Sequence, residues 1–248
     1  SERSTHTVAM TGFIRDHGLV SELNRGTFYG CRNRQGQLEG VALIGHATLM
    51  ETRTDRALQV FADLARHSVT PHLIMGEEER INEFWNYYCE DGQEMRFASR
   101  ELLLELKWPL QIRAKVREMR MATPGDIELV LPVHAQMAFD ESGINPLETD
   151  PVGFRERYAR RIEQGRSWVC IEEGKLAFKA EVISDTPDAV YLEGVWVSPE
   201  KMGTGYGLRC LSQLALNLLA YTKSIVLLVN DENKKAQLPW QSSWGFST

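Results

Sequence analysis

Apolar and polar positions repeat with two different periods along this chain, and the switches between them mark its elements. Residues Thr27 to Asn33 and Leu38 to Met50 read as strands joined by a turn at Arg34 to Gly36. Thr54 then stands as an N-cap ahead of Ala57, Leu58, Phe61, Leu64 and Ala65, whose three- and four-residue spacing predicts an amphipathic helix. A short strand near His72 to Met75, a helix near Glu77 to Tyr88 and a strand near Met95 to Leu106 complete a β-β-α-β-α-β order.

After Lys107 to Pro109 the pattern restarts, and this is the expected domain boundary, dividing residues 1–112 from 113–248. A strand at Val116 to Met121, a turn at Thr123 to Gly125 and a helix from Asp126 toward Phe139 come first. A polar loop from Asp140 to Pro151 leads to a helix at Val152 to Gln164. Strands at Ser167 to Glu172, Lys175 to Ile183 and Ala189 to Ser198 follow, with a Glu173-Gly174 hairpin turn between the first two. Leu208, Leu211, Leu214, Ala215, Leu218 and Leu219 then form one broad helical face, and a strand at Ser224 to Val229 comes directly after. Asp231 or Asn233 caps a last short helix. The final hairpin-helix-strand-helix portion repeats the order of the first half, which predicts two related α/β folds in tandem.

Composition narrows the function classes. Of the 248 residues 43% are apolar, enough for a sizeable core, and the 28 basic against 34 acidic residues leave a net charge of -6. Such a chain has no basic field to hold nucleic acid or an anionic membrane surface. Cys31, Cys89, Cys170 and Cys210 are too scattered for a zinc site or a secreted disulfide scaffold. The histidines at 6, 17, 46, 67, 72 and 134 lack ligand spacing, so no metal is expected. No apolar run reaches the roughly 18 residues of a membrane span, and residues 1–7 are too polar for a signal segment; the expected location is cytoplasmic.

The sharpest motif is Val195-Trp196-Val197-Ser198-Pro199-Glu200-Lys201-Met202-Gly203-Thr204-Gly205-Tyr206-Gly207-Leu208. An apolar strand runs through a proline into three glycines and opens an amphipathic helix. Glycine lets backbone amides approach a ligand that a Cβ would block. Those amides and the positive end of the helix dipole make an anion site for a diphosphate. A P-loop would need Gly-Lys-Ser/Thr where this chain has Gly207-Leu208-Arg209. A dinucleotide-binding turn is the rival, with Asp231 as its ribose acid, although a hairpin and a third strand precede the turn.

Val195-x-Val197-x-Pro199-Glu200-x-x-Gly203-x-Gly205-x-Gly207 resembles the acetyl-CoA signature of the GNAT N-acetyltransferase superfamily. Asn233-x-x-Ala236 and Gly245-Phe246 are similar to its second motif, and the resemblance covers about Val116 to Phe246. It implies two tandem GNAT-like domains, each a mixed, mostly antiparallel sheet flanked by helices, the first a degenerate partner without a cofactor motif. It also implies acetyl-CoA as cosubstrate, held by Val195, Trp196, Val197, Met202, Gly203, Thr204, Gly205, Tyr206, Gly207, Leu208 and Asn233. The strand through Tyr191 to Val197 is then expected to splay from Ser224 to Val229, with the acetyl-pantetheine in the gap.

The chain departs from the family pattern twice. Met202 stands where members usually carry Arg or Gln, and the family's tyrosine position falls on Trp240 or Gln241, neither of which donates a phenolic proton. A final strand is also expected after Gly245-Phe246, yet the sequence given ends two residues later, so another segment has to close the sheet or the strand is missing.

Acetyl transfer to a primary amine, the reaction the resemblance implies, needs a proton acceptor. Glu193, two residues before the Val195-Val197 pair, is expected on their face of the strand as the catalytic base. An amide between Val195 and Val197 is the expected oxyanion donor. Asp140, Glu141, Glu148 and Asp150 are either solvated acids or an attraction for a cationic acceptor, which would be a small-molecule amine or a peptide or protein amine. Trp168, Trp196 and Trp244 read as core or groove lining. The corresponding junction in the first half, Met50-Glu51-Thr52-Arg53-Thr54-Asp55, has two acids and no glycine, so one cofactor site per chain is expected, with packing, acceptor choice or homodimer formation left to the first domain. A sensor that binds acyl-CoA without turnover is the alternative reading.

Overall fold

The structure, a computed structural model, describes residues 4–68, 71, 73–90, 94–107, 116 and 118–233. The chain divides into two compact units, one formed by residues up to Leu103 with Val229–Glu232, the other running from Leu104 to Leu228. The expected boundary at 112/113 falls outside the described residues, as do Ala236, Trp240, Gln241, Trp244, Gly245, Phe246 and the last short helix.

The first unit opens with helix α1 (Thr5–His17), which periodicity does not predict: Thr, Gly12 and His interrupt its apolar face, although Val8, Ala9 and Met10 are buried. Strands β1 (Gly26–Arg32), β2 (Leu38–Gly45), β3 (Ala47–Thr52) and β4 (Leu73–Met75) form one sheet in that order. The expected single strand at Leu38 to Met50 is therefore two, because the chain reverses around Gly45 and His46 and pairs Leu43 with Leu49. An uninterrupted apolar run conceals a tight turn of this kind.

Helix α2 (Asp55–Arg66) starts as the sequence predicts, the Thr54 hydroxyl accepting from the Ala57 amide at 3.3 Å. Ala57, Leu58, Phe61 and Ala65 are at most 1% exposed, whereas Leu64 at 36% faces outward. Helix α3 (Glu78–Tyr88) adds Phe84 and Tyr88, whose rings stack at 5.7 Å over the same core. Burying each such large apolar side chain contributes about 1.5–3 kcal/mol.

The second sheet has six strands: β5 (Glu101–Leu106), β6 (Met119–Met121), β7 (Ser167–Glu172), β8 (Lys175–Asp185), β9 (Val190–Val197) and β10 (Ile225–Asn230). Their order is β5-β10-β9-β8-β7-β6. Strands β6 to β9 are antiparallel neighbours, and β10 lies parallel to β9. Among the described residues β5 stands beside β10 at the edge of this sheet. The β7–β8 turn is tight because Glu173 and Gly174 both adopt left-handed backbone, φ 52° and 76°.

Helices α4 (Ile127–Ser142), α5 (Pro146–Thr149), α6 (Pro151–Glu163) and α7 (Tyr206–Leu219) cover this sheet. Val130, Leu131, Phe154, Tyr158 and Ile162 from α4 and α6 pack on Val169 of β7 and Trp196 of β9. Cys170, the next residue on β7, points the other way and meets Cys210 of α7 with the sulfurs 3.7 Å apart, so helices lie on both faces. The expected polar loop at Asp140 to Pro151 is instead the end of α4, the short α5 capped by Asn145, and Asp150 capping α6.

Each unit thus contains three consecutive antiparallel strands, a helix, and a fourth strand parallel to the third: β1-β2-β3-α2-β4 in the first and β7-β8-β9-α7-β10 in the second. This order corrects the two-strand opening read from the sequence and makes the internal repeat more complete than the periodicity suggests. It also removes the dinucleotide-binding rival, whose doubly wound sheet is mostly parallel, whereas β6 to β9 are antiparallel neighbours.

Candidate active site around the glycine turn

The site begins where β9 and β10 part. Their ladder pairs Val190, Tyr191 and Leu192 with Ile225, Val226 and Leu227 and goes no further, although β9 continues to Val197 and β10 to Asn230. Beyond Leu192 the β10-facing edge of β9 is left without this ladder, in line with the expected splay.

At the same point β9 carries an extra residue. Glu193 lies opposite Glu181 and Trp196 opposite Lys179, so three steps on β9 match two on β8, and Gly194 takes up the difference at φ 59°. Such a bulge interrupts alternation. Trp196 therefore shares the face of Glu193, while Val197, opposite Phe178, stands on the other face. The expectation that Glu193 and Val197 share a face fails for this reason. Glu193 itself is exposed and accepts a hydrogen bond from the Tyr191 hydroxyl at 2.9 Å.

After Val197 a single turn of tight helix at Pro199–Lys201 leads into the glycines. Gly203 and Gly205 adopt left-handed backbone, φ 74° and 75°, and a Cβ at Gly203 would meet nothing within 4 Å. The backbone here is open to a ligand. Helix α7 then starts with no side chain capping it, its first backbone bond running from Arg209 N–H to Gly205 C=O at 3.2 Å. The amides of Tyr206, Gly207 and Leu208 precede that bond and have no intrahelical acceptor. The third glycine does a different job, since a Cβ on Gly207 would sit 2.7 Å from Val197 Cγ2; its absence lets α7 pack directly on β9.

The side chains around the turn were not all legible in advance. Tyr206 is buried and donates its hydroxyl to Glu172 Oε1 at 2.7 Å, so only its backbone is available to a ligand. Burial, and then the bond to Glu172, keep this phenol protonated. Lys201 Nζ lies 2.6 Å from Glu172 Oε2, and the Lys201 and Tyr206 bonds hold that carboxylate below the usual range. Arg209 lies over the Tyr206 ring at 5.6 Å. Arg209 thus brings a cation to the start of α7 and Lys201 offsets the charge of Glu172 there, two contributions that a backbone-only anion site does not include. Gly207-Leu208-Arg209 held the signal for one of them.

Of the other expected contacts, Met202 is 59% exposed, Thr204 bonds back to the Lys201 carbonyl at 2.7 Å, and Leu208 is half-buried. Asn233 is exposed and is the last described residue. Asp140 accepts from Gln136, Glu148 from Asn145, and Asp150 from Gly153 N–H and Arg157, so these acids near the expected acceptor entrance have internal partners. Trp168 is buried. Among the described residues no cluster of His, Cys, Asp or Glu is arranged to hold a metal ion, and no helix is long and apolar enough to cross a membrane.

In the first unit the matching strand-to-helix junction is closed. Thr54 caps α2, and Glu51 at the end of β3 accepts from His6 at 2.8 Å and Thr7 at 3.1 Å, both from α1.

No protein-family model matches the chain, and no curated protein matches it in sequence. Solved structures do match its fold. An acetyltransferase of the GNAT family from Colwellia psychrerythraea is 14% identical, with a TM-score of 0.57 over 98% of this chain and 92% of its own. A tandem GNAT protein from the clavulanic acid biosynthesis pathway is 14% identical, with a TM-score of 0.56 over 97% of this chain and 84% of its own. A PaiA N-acetyltransferase from Thermoplasma acidophilum in complex with coenzyme A is 17% identical over 48% of this chain and 82% of its own, at a TM-score of 0.39. The architecture is that of the GNAT class, a mixed α/β fold of two mixed sheets flanked by helices. The tandem structure matches it over both units in succession, covering 97% of this chain.

Proposed function

We propose that the second unit binds acetyl-CoA through the turn from Val197 to Leu208 and transfers its acetyl group to an amine of a small molecule, peptide or protein. The observation that carries this reading is the uncapped start of α7, behind two left-handed glycines, at the place where β9 leaves β10. Anions are stabilised there by orphan amides and the helix dipole. The Glu172 carboxylate, which would otherwise repel a diphosphate, is neutralised by Lys201.

The chemistry assigned to the site is direct transfer. The amine nitrogen forms a bond to the thioester carbon, the carbon–sulfur bond breaks, the nitrogen gives up a proton, and the leaving thiolate takes one from water. Glu193 is the proposed proton acceptor, directly or through one water, worth about 10²–10⁴ in rate. Holding the two reactants together contributes more, up to about 7–11 kcal/mol of the barrier. The closed junction in the first unit supports one cofactor site per chain.

Titration calorimetry with acetyl-CoA, CoA and NAD tests the binding half. Acetyl-CoA and CoA should bind, NAD should not, and Gly205→Asp should abolish binding by placing bulk and negative charge at the turn. Undiminished affinity in that variant would reject the assignment. Thiol release with a panel of amines tests the transfer half. The exposed, uncharged Met202 favours a second reading, a sensor that binds acyl-CoA without turnover; binding with no amine-dependent thiol release would select it.

A further inference from the structure

Beneath the bulge lies a buried ion pair that the proposed chemistry does not use. Lys179 and Glu181, alternate residues of β8, have side chains 0% and 1% exposed, and Nζ lies 3.2 Å from Oε1. Lys179 also donates to the Gly194 carbonyl at 3.1 Å. Glu181 Oε1 further accepts from the Tyr158 hydroxyl, and from Ser167 Oγ at 3.3 Å. The guanidinium of Arg161 stands 4.0 Å from Oε2. A Cβ at Gly194 would fall 3.0 Å from Glu181 Cγ and 3.4 Å from Lys179 Nζ, so the glycine backbone rests directly on the pair.

Stability does not account for this arrangement. Removing two charges from water is costly, and well-packed apolar residues in their place are often as stable or more so. What the pair does that an apolar couple would not is hold one particular carbonyl. We infer that Lys179, itself held by Glu181, is a positioning residue that sets the Gly194–Val195 peptide. That peptide is planar and trans, so its C=O and N–H point in opposite directions. With the Gly194 oxygen drawn to Lys179 of β8, the Val195 N–H is aimed away from β8, toward the side from which β10 has withdrawn. A bulge can otherwise rock about its glycine. The consequence for turnover rests on the acetyl-transfer reading above: an N–H aimed into the splay is a preorganised donor for the oxygen of the thioester carbonyl as charge develops on it.

The test is the double variant Lys179→Met, Glu181→Leu, which removes both buried charges together and leaves Tyr158 and Ser167 bonded to each other at 3.0 Å and Arg161, 30% exposed, to solvent. Its urea midpoint should stay at or above that of the parent chain. The ¹⁵N order parameters of Val195 and Trp196 should fall from about 0.85 to below about 0.6. Acetyl-CoA affinity should change by less than about threefold, since the turn at Gly203 to Leu208 is untouched, while turnover falls by about 10²–10³. Rigid amides at 195 and 196 in a folded double variant would overturn the inference, as would turnover restored along with stability. Should the double variant not fold, Gly194→Ala tests the same lock from the other side, by pressing a Cβ on Glu181; it should show the same split between affinity and turnover, and parent-like turnover would overturn the inference. If the parent chain releases no thiol with any amine, the transfer reading fails, and the order parameters still decide the role of Lys179.

Discussion

The hydroxyl of Tyr206, in the first turn of α7, donates to Glu172 at the end of β7 across 2.7 Å, tying the start of the anion-binding helix to the sheet beneath it. Lys201 reaches the other oxygen of the same carboxylate. One acid therefore anchors both ends of the glycine turn and holds its amides in place before a ligand arrives.

Tyr206→Phe keeps the ring under Lys201 and Arg209 and removes only the tie. Loss of about 0.5–1.5 kcal/mol of stability is expected, the net worth of one such bond. Acetyl-CoA affinity, measured by calorimetry, should weaken two- to tenfold or so, because a looser turn pays an ordering cost on binding. Equal affinity would show that the turn is rigid without Glu172.

Gly207→Ala tests a role distinct from that of Gly205. Its Cβ would meet Val197 Cγ2 at 2.7 Å, so either the β-branched Val197 side chain or α7 must shift. Overpacking of this sort costs about 1–3 kcal/mol, read as a lower urea midpoint. A variant as stable as the parent would mean that the helix has slack the structure does not show.

Glu193→Gln should leave acetyl-CoA affinity nearly intact and slow amine-dependent thiol release by about 10²–10⁴. Tyr191→Phe, which removes the hydroxyl bonded to Glu193, should have a smaller effect in the same direction. Full turnover in the glutamine variant would transfer the role of base to water or to another group.

His134 makes stability depend on pH. It packs against Phe154 and Tyr158, with ring centroids 5.3 and 4.6 Å away. Burial, and then the charges of Lys179 and Arg161, hold its pKa well below the ordinary 6.5. Below that value the unfolded chain takes up a proton that the folded chain refuses, so stability is intact above it and falls as the pH drops. Between about pH 7.5 and 5.5 this site alone should remove on the order of 1 kcal/mol. His134→Leu should flatten that part of the curve in urea titrations at the two pH values; an unchanged slope would show that His134 protonates freely in the fold.

Much of this protein was legible without coordinates, and the reason is that the relevant signals are local. The Thr54 cap, the Glu173-Gly174 turn, the stripe on α7 and the run from Val195 to Leu208 each depend on residues within a few positions of one another. Periodicity and turn chemistry report such neighbours directly. The reversal at Gly45 was missed inside an apolar run, and α1 was missed because its polar residues meet partners such as Glu51 about 45 positions away.

What only the tertiary structure decided involves pairing between distant strands. The extra residue at Gly194 exists relative to the register of β8, and one residue of slip reverses which side chains share a face. That is why Glu193 could be named from the sequence while its relation to Val197 could not. The buried contact of Lys179 with the Gly194 carbonyl, the tie from Glu172 to Tyr206, and the use of β5 as the strand beside β10 depend on the same long-range pairing. The sequence alone specified a glycine-rich, uncapped helix start; the sheet decided which way the backbone leading into it faces.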